Sequence, residues 1–486
     1  MATAPATRLR RALLLAPMLL SSAACLSVPN LGERPQMRAP EGIDARIDAP
    51  VTAPEAGWPD SAWWENYGDA QLSGLIEAAL ARSPNMDEAA ARVRRAEAMA
   101  QQAGASRYPQ LSANASAGAT QQSTSTIDID LPNGIELPHR WNDGAQASLS
   151  LSWDLDLWGR NRATLRAALS DTEAARADAA QARLTLSTGI AAAYGDLARL
   201  AAVRGTAEAY LRIRGETLRL MQARMAQGLE NNAAVMRAEA GRASAASDLA
   251  ALDEQIELTR NRIAALMGDG PGRGQAIALP TTARLAAFGL PADLGIGIVG
   301  RRPDIVAARL RAEGQGARID AARAEFYPNI RISALIGLQA LGIGNLLSGG
   351  SSYGSVGPAI SLPIFSGGRI EGNYRGTRAD YDAAVANYDR TLVNALKDVA
   401  DVAASQRALA IRLRESRAAL AASDTAFRMI EARYRGGLAT YLDLLSAEDA
   451  LNTSRRGVAE LEASAFSLDV ALVRALGGGF RQTPRA

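Results

Sequence analysis

The sequence has little of the chemistry that most enzymes and metal proteins use. Its 486 residues include one Cys, one His and a single Lys, Lys397. One thiol cannot form a disulfide within the chain, and one imidazole cannot supply a zinc cluster or a thiolate–imidazole pair. We therefore expect no catalytic residues, no enzymatic activity, no cofactor and no bound metal.

Aromatic residues are also scarce, and neither sign of charge dominates. Aromatics make up 5% of the chain although hydrophobic residues make up 48%. Ala supplies much of the difference, and it suits closely packed helices better than a bulky globular core. The 53 basic and 51 acidic residues are interspersed along the chain. Because nucleic-acid-binding proteins usually carry a basic stripe, we expect no nucleic-acid partner.

The N-terminus is typical of an export signal. Three Arg precede an apolar run at 12–20, and small residues at 21–24 lead to Cys25. This run is too short to be a spanning helix. The only Cys at the cleavage position resembles a bacterial lipobox, although Ser22 replaces the usual Leu, and an ordinary signal peptide is the alternative. We predict a signal peptide at 1–24, acylation of Cys25, and an extended Pro- and Gly-rich strap at 25–62. Because Leu26 is not Asp, the resemblance implies an outer-membrane destination.

The remainder of the chain contains the same pattern twice. LARSPN at 80–85 matches VGRRPD at 299–304, and RMAQGL at 224–229 matches RYRGGL at 433–438. We predict a first repeat at 63–268, a linker at 269–300, a second repeat at 301–479 and a C-terminal tail at 480–486.

Each repeat contains two segments in which apolar and small polar residues alternate. These predict strands at about 110–120 and 146–157, and again at about 329–340 and 355–365. Alternation alone is also typical of a half-buried strand in a soluble sheet. The export signal and the polar connections at 120–145 and 341–353 favour membrane strands instead, since roughly 11 residues cross a bilayer when tilted.

A long helix follows each strand pair. It begins near Gly159 or Gly368 and continues without Pro to about Arg224 or Arg433, some 65 residues or roughly 100 Å. Four strands cannot close a barrel, and open strand edges are not tolerated in lipid, so several chains must share one barrel. A dimer would give eight strands and a filled interior, whereas a trimer would give twelve and leave an aqueous pore.

The sequence resembles the TolC/OprM-like outer membrane factors, in particular the lipid-anchored NodT type. Five segments carry the resemblance: WDLDLWGRNR at 153–162, GRRPDIVAAR at 300–309, LPIFSGGR at 362–369, RYRGGLATYLDLL at 433–445 and ALGGG at 475–479. The resemblance implies a mainly α fold in which long periplasmic helices form an α-barrel and four strands per chain contribute to a trimeric twelve-stranded β-barrel. It also implies a periplasmic membrane-fusion adaptor, an inner-membrane pump of the resistance-nodulation-division type and outer-membrane lipid as partners.

The resemblance also assigns functional positions at the periplasmic end. The turns between long and short helices would dock the adaptor, and by position they contain Arg224, Gly228, Leu229, Arg433, Tyr434, Gly436, Gly437 and Leu438. The structural alternative is a helix C-cap, because Gly228 and Gly437 suit a left-handed conformation.

Two acidic residues beyond the second turn match family positions at the periplasmic gate. The resemblance implies that Asp443 forms a ring of carboxylates at the closed aperture. Asp449, six residues on, stands where a lipid-anchored relative carries a basic gate residue. Ser446 replaces an acidic residue that is common in the family. Solvated helix faces are the alternative for both acids.

The function implied is an outer-membrane exit channel that passively conducts small molecules. The same fold would also suit the exit duct of a type I protein-secretion or metal-efflux system. A structural helical surface lipoprotein would explain the Ala-rich helices but not the paired alternating strands.

Overall fold

The computed structural model describes residues 28–39, 43, 57–121, 141–280 and 300–482. The predicted signal peptide, Cys25, much of the strap, part of the linker and the end of the tail lie outside these residues.

The described chain is mainly helical and contains one four-stranded sheet, as expected. The helices are α1 (Ala70–Arg82), α2 (Pro84–Ala105), α3 (Arg160–Ala226), α4 (Asn232–Met267), α5 (Pro271–Gln275), α6 (Pro303–Ala324), α7 (Arg369–Arg435) and α8 (Tyr441–Ala475). The strands are β1 (Gln110–Gln121), β2 (Trp141–Asp154), β3 (Asn329–Leu341) and β4 (Ser352–Ser361). Helix, strand pair, long helix and shorter helix therefore follow one another twice. Of the helices in the described ranges, none is both long and apolar enough for a membrane crossing.

Two strands end earlier than the sequence pattern suggested, and each for a local reason. β2 begins at Trp141 and ends at Asp154 rather than 157, because Asp156 takes a positive φ of 50°. The Asp156 carboxylate accepts hydrogen bonds from the backbone N–H groups of Asn161 (2.8 Å) and Arg162 (3.0 Å) and so caps α3. β4 ends at Ser361 rather than 365, shortly before Pro363, which has no N–H to donate to a strand.

The sheet is antiparallel in the order β1-β2-β3-β4, and its register aligns like residues across all four strands. Leu111 pairs with Leu151, Leu151 with Ala334, and Ala334 with Val356. Directly paired residues share one face of a sheet. One face is therefore a continuous apolar surface.

The opposite face is polar. The hydroxyl oxygens of Ser112 and Ser150 lie 2.7 Å apart, and the Gln146 amide donates to the Tyr353 hydroxyl at 2.7 Å. Among the described residues, β1 and β4 each pair on one side only. The sheet therefore has two open edges.

The chain divides into two compact units. The sheet unit contains Arg94–Glu173, Leu310–Ala386 and the described residues before Met37, and the helical unit contains Met37–Val93, Ala174–Arg309 and Asn387–Ala486. Much of the buried core of the helical unit lies in two clusters, one that includes Trp63, Ile190, Leu197 and Ile263, and one that includes Ile305, Leu392, Val399 and Leu472.

Within the sheet unit, the described part of the predicted strap binds α6 and α7. The Arg378 guanidinium donates to the backbone carbonyls of Gly32 and Glu33, and the Tyr381 hydroxyl donates to the Pro35 carbonyl at 3.1 Å. The Arg34 side chain also pairs with Asp320 of α6 at 3.1 Å. Backbone and side-chain atoms of the strap therefore both contact the helices.

Arg302, which directly precedes Pro303 at the start of α6, connects three helices. Its buried guanidinium pairs with Asp304 at 2.7 Å and Asp398 at 3.3 Å, and donates to the Ala475 carbonyl at 3.1 Å. It thereby joins the start of α6 to α7 and to the end of α8.

Three consecutive glycines follow α8 in the helical unit. Gly477, Gly478 and Gly479 all have positive φ, at 90°, 57° and 82°. A Cβ on Gly477 would lie 2.0 Å from the Arg301 carbonyl oxygen. Only glycine accommodates both the left-handed backbone and this approach.

Replacing Gly477 by Ala should therefore destabilise the helical unit. We expect a loss of about 2 kcal/mol or more, from the left-handed strain and the displaced backbone, measured as a lower apparent melting temperature. Gly457, inside α8 with open space at its Cβ position, is the matched control, and Gly457→Ala should be neutral or slightly stabilising. Equal melting of both variants and the parent would refute the packing argument.

Candidate functional site

The turn between α3 and α4 is a helix C-cap of the Schellman type. The Leu229 N–H donates to the Arg224 carbonyl and the Gly228 N–H to the Met225 carbonyl, both at 2.9 Å. Gly228 has the left-handed φ of 73° that this motif requires.

The turn between α7 and α8 repeats the same two bonds. The Leu438 N–H donates to the Arg433 carbonyl at 2.8 Å and the Gly437 N–H to the Tyr434 carbonyl at 3.0 Å, with φ of 76° at Gly437. Arg433 also donates from its side chain to the Leu438 carbonyl at 3.2 Å. Gly436 lacks a positive φ, so its backbone conformation does not require glycine.

Tyr434 joins the two turns into one structure, which we call the tip. Its side chain is 1% exposed, and its hydroxyl donates to Glu230 at 3.0 Å. The Arg224 guanidinium lies over the Tyr434 ring, 5.0 Å from the centroid, and 3.9 Å from Glu230. A small apolar cluster lies beneath, formed by Met221, Ala234, Val235, Ala238, Tyr434 and Leu444.

Leu229 and Leu438 differ from the rest of the tip because they are exposed. Their exposed fractions are 59% and 72%. Each follows its cap glycine directly, so the two caps present a pair of apolar side chains to the surroundings.

The two helices that leave the tip, α4 and α8, are capped differently. Asn231 accepts from the Ala234 N–H at 3.0 Å, whereas Thr440 and Asp443 form a reciprocal capping box. The Asp443 carboxylate accepts from the Thr440 N–H at 2.9 Å and from its hydroxyl at 2.7 Å. These bonds lower the pKa of the exposed Asp443 carboxyl below its ordinary value. Asp443 is therefore ionised at neutral pH in the single chain.

Asp449 lies two turns further along α8 and is not a simple solvated acid. It accepts from the Tyr210 hydroxyl at 2.6 Å and pairs with Arg214 of α3. Arg214 also pairs with Glu448 at 3.0 Å, and Thr217 donates to Glu448 at 2.6 Å. We call these five residues the charge cluster.

The interior of the charge cluster is buried. Arg214 is 4% exposed and Glu448 3%. Burial raises the pKa of the Glu448 carboxyl, while the Thr217 hydrogen bond and the Arg214 charge oppose the rise. Burial, together with the bond to Asp449, also raises the pKa of Tyr210 to about 12.

Arg214, Glu448 and Thr217 were not predicted from the sequence. Their spacing could have revealed the cluster. Tyr210, Arg214, Thr217 and Met221 recur at intervals of three and four residues and so lie on one face of α3, where Arg214 is the only charged residue of the four.

Cys25 lies outside the described residues. Among the residues that the structure describes, no group of acidic, His or Cys side chains is arranged to hold a metal.

Comparison with known proteins identifies the family. A family model for outer membrane efflux proteins matches residues 75–269 and 298–478, which is most of the chain. The chain belongs to the outer membrane efflux protein family. The two matched segments end near the last residues of α4 and α8, Met267 and Ala475.

Individual relatives agree with the family assignment. The chain is 34% identical over 374 residues to the fusaric acid resistance protein FusA of Burkholderia cepacia, covering 75% of this chain and 69% of the relative. It is 29% identical over 454 residues to the multidrug resistance outer membrane protein MdtP of Escherichia coli, covering 92% of each. The crystal structure of the outer membrane protein VceC of Vibrio cholerae matches with 43% identity and a TM-score of 0.80, covering 87% of this chain and all of VceC.

The resemblance inferred from the sequence is thus confirmed. As a member of the outer membrane efflux protein family, the chain is an efflux exit channel located in the outer membrane of a Gram-negative bacterium.

Arg214 supplies the first prediction about the charge cluster. Arg214→Gln leaves the buried Glu448 carboxylate without its counter-charge, which should cost about 3 kcal/mol or more and lower the apparent melting temperature. Arg204→Gln is the control on the same helix, because Arg204 pairs with the half-exposed Glu208 and Asp253 and should cost about 1 kcal/mol at most. Equal losses in both variants would remove any special role for the cluster.

Glu448 supplies a prediction about pH. Its pKa is raised above the ordinary 4.5, so the folded state keeps a proton that the unfolded state releases. Its contribution to stability is therefore complete below pH 4.5 and is lost as pH rises through the folded pKa. The melting temperature of the parent minus that of Glu448→Gln should decrease from pH 4.5 to neutral pH. A difference that is constant or increases with pH would contradict the raised pKa.

Proposed function

We propose that the chain is the exit duct of a tripartite efflux system and passively conducts small molecules delivered by a periplasmic adaptor and an inner-membrane pump. The supporting observation is the sheet, with one apolar face, one polar face and two open edges. In hydrocarbon every backbone polar group must be paired. β1 of one chain therefore pairs with β4 of the next until the barrel closes.

A trimer is the closure we propose. Three chains give twelve strands, which leave a water-filled interior lined by the polar face, whereas two chains give eight strands and a filled barrel. In this arrangement the apolar face contacts lipid and the long helices extend into the periplasm. The repeated order of helices and strands supports two tandem copies of one ancestral unit, at 63–268 and 301–479.

The tip is the proposed docking surface for a periplasmic membrane-fusion adaptor. Exposed Leu229 and Leu438 would supply the apolar contact, and Arg224, Arg433 and Tyr434 would hold the two turns in place. Gly228 and Gly437 serve the docking surface indirectly, because they set the backbone course that projects the two Leu side chains. Gly436 keeps the second turn free of a side chain.

In the proposed periplasmic gate, Asp443 and Asp449 have different roles. Asp443 is exposed and ionised, so threefold symmetry would bring three carboxylates together near the axis and attract cations. Asp449, by contrast, would act through the charge cluster by holding α8 against α3.

Lipid anchoring at Cys25 is part of the proposal. Acylation adds about 0.8 kcal/mol of membrane affinity for each buried methylene. Mass spectrometry of the N-terminal peptide should find acyl chains on the parent and none on Cys25→Ser. An unmodified Cys25 in the exported parent would leave an ordinary signal peptide as the explanation.

Small-molecule efflux is favoured over protein secretion or metal efflux. FusA is named a fusaric acid resistance protein and MdtP a multidrug resistance protein, and these names support small molecules as the cargo of this chain. We propose no enzymatic step, no cofactor and no nucleic-acid partner.

Asp443 provides the test of the channel mechanism. In planar bilayers, Asp443→Asn should reduce cation selectivity and block by divalent cations, because it removes three charges while an amide oxygen still accepts from Thr440. Asp443→Ala should change conduction similarly and also weaken the helix cap. Ala234→Ser, at the aligned position of the first copy, should behave like the parent.

If Asp443→Asn channels match the parent in conductance, selectivity and divalent block, Asp443 is a capping residue only. If no variant and no parent preparation conducts ions, the exit-duct proposal itself is wrong.

A further inference from the structure

A cavity of about 280 Å³ lies in the sheet unit where strands meet long helices. It is bounded by the segment from β2 to α3, by the segment from α6 to β3, and by the start of α7. We call five of its lining residues the junction site: Trp158, Arg160, Glu325, Tyr327 and Arg369.

An aromatic pair forms one wall of the junction site. Trp158 stacks on Tyr327 with centroids 4.8 Å apart and ring planes at 21°. The indole N–H donates to the Pro328 carbonyl at 2.7 Å. Its polar edge is thereby satisfied within the protein, while about half of the Trp158 side chain stays exposed. The wall is a fixed, flat and accessible apolar surface.

Basic side chains outnumber acidic ones in the junction site. Arg160 and Arg369 face the same carboxylate, Glu325, at 3.6 Å and 3.9 Å. Both separations exceed hydrogen-bond length, so neither guanidinium has its donors satisfied by Glu325. Both Arg side chains are well exposed, at 59% and 72%, whereas that of Glu325 is 19% exposed. Asp156 also lines the cavity, but its carboxylate pairs with Arg162 at 3.3 Å. Arg160 and Arg369 against Glu325 therefore leave a net positive site whose guanidinium N–H groups face solvent.

Exposed apolar side chains lie close in the chain to these charged residues. Leu157, Ile364 and Phe365 are 56%, 65% and 90% exposed. Ile330 lines the cavity and is paired with Ile360 in the apolar row of the sheet. The apolar face of the sheet therefore continues to the edge of the positive site.

The two copies differ at this place. In the aligned motifs SWDLDLWGR and SLPIFSGGR, Phe365 stands where the first copy has Asp156. Asp156 is bound to the backbone of α3, whereas Phe365 is the most exposed of these rings and makes no cap. The second junction thus presents an aromatic side chain to the surroundings where the first fixes a carboxylate.

We propose that the junction site binds a glycerophospholipid of the periplasmic leaflet. The lipid phosphate lies between the guanidinium groups of Arg160 and Arg369, and the acyl chains lie along the apolar face of the sheet. A phosphate anion matches two Arg donors better than one carboxylate shared at long distance does. Trp158, Tyr327 and Phe365 form the aromatic belt expected at a membrane–water interface. The inference rests on the proposed orientation of the barrel in the membrane.

Native mass spectrometry of the detergent-purified channel tests the site with two probes that share their acyl chains. Phosphatidylglycerol carries the phosphate and diacylglycerol lacks it. The parent should retain phosphatidylglycerol in preference to diacylglycerol. Arg160→Gln/Arg369→Gln should weaken phosphatidylglycerol retention about tenfold or more, since each basic residue contributes to anionic lipid binding.

Glu325→Gln gives a change of opposite sign. It removes the competing carboxylate and should strengthen phosphatidylglycerol binding a few-fold. Arg414→Gln/Arg428→Gln is the charge-matched control, because both residues are exposed on α7 and pair with acids elsewhere, Glu415 and Asp424. This control should retain lipid like the parent.

Equal phosphatidylglycerol retention by the parent and Arg160→Gln/Arg369→Gln would overturn the proposal, as would equal retention of the two probes by the parent. Oligomer mass and conductance, measured on the same samples, separate this result from the exit-duct proposal. Loss of lipid from variants that still assemble and conduct supports the junction site alone. A parent that neither assembles nor conducts contradicts the exit-duct proposal. The junction site is then still tested by comparing retention of the two lipids by the parent and by Arg160→Gln/Arg369→Gln.

Discussion

The demand of the backbone for hydrogen-bond partners in lipid governs this structure. Each unpaired N–H or C=O in hydrocarbon costs several kcal/mol, and the four-stranded sheet presents two unpaired edges, at β1 and β4. A chain of an outer-membrane family cannot leave those edges in lipid. The proposed assembly, the water-filled lumen and the gate near a symmetry axis all depend on pairing them between chains.

The sequence predicted the elements well because their signals are local. Alternation identified four strands, and the absence of Pro predicted two long helices that the structure places at Arg160–Ala226 and Arg369–Arg435. Strand ends were predicted less well. The backbone conformation of Asp156, which ends β2 and caps α3, depends on hydrogen bonds to residues that follow it, and alternation contains no such information.

The positions of the tip turns were predicted from the sequence, but the buried ion pairs of the charge cluster were not. Sequence motifs located the tip turns and Asp443, since both lie in short recognisable segments. The charge cluster was missed, because Arg214 and Glu448 are far apart in the chain and each resembles an ordinary solvated helix residue. Their burial arises only when α3 packs on α8. The same packing makes Asp449, whose side chain stays 56% exposed, a partner of Arg214 and Tyr210.

The number of chains in the assembled channel tests this account most directly. Light scattering or native mass spectrometry of the detergent-extracted protein should give the mass of three chains, with circular dichroism showing the helix content retained. A dimer would contradict the proposed pore. A monomer with intact helices would contradict the edge-pairing argument, because it would mean that β1 and β4 are satisfied within one chain or left open.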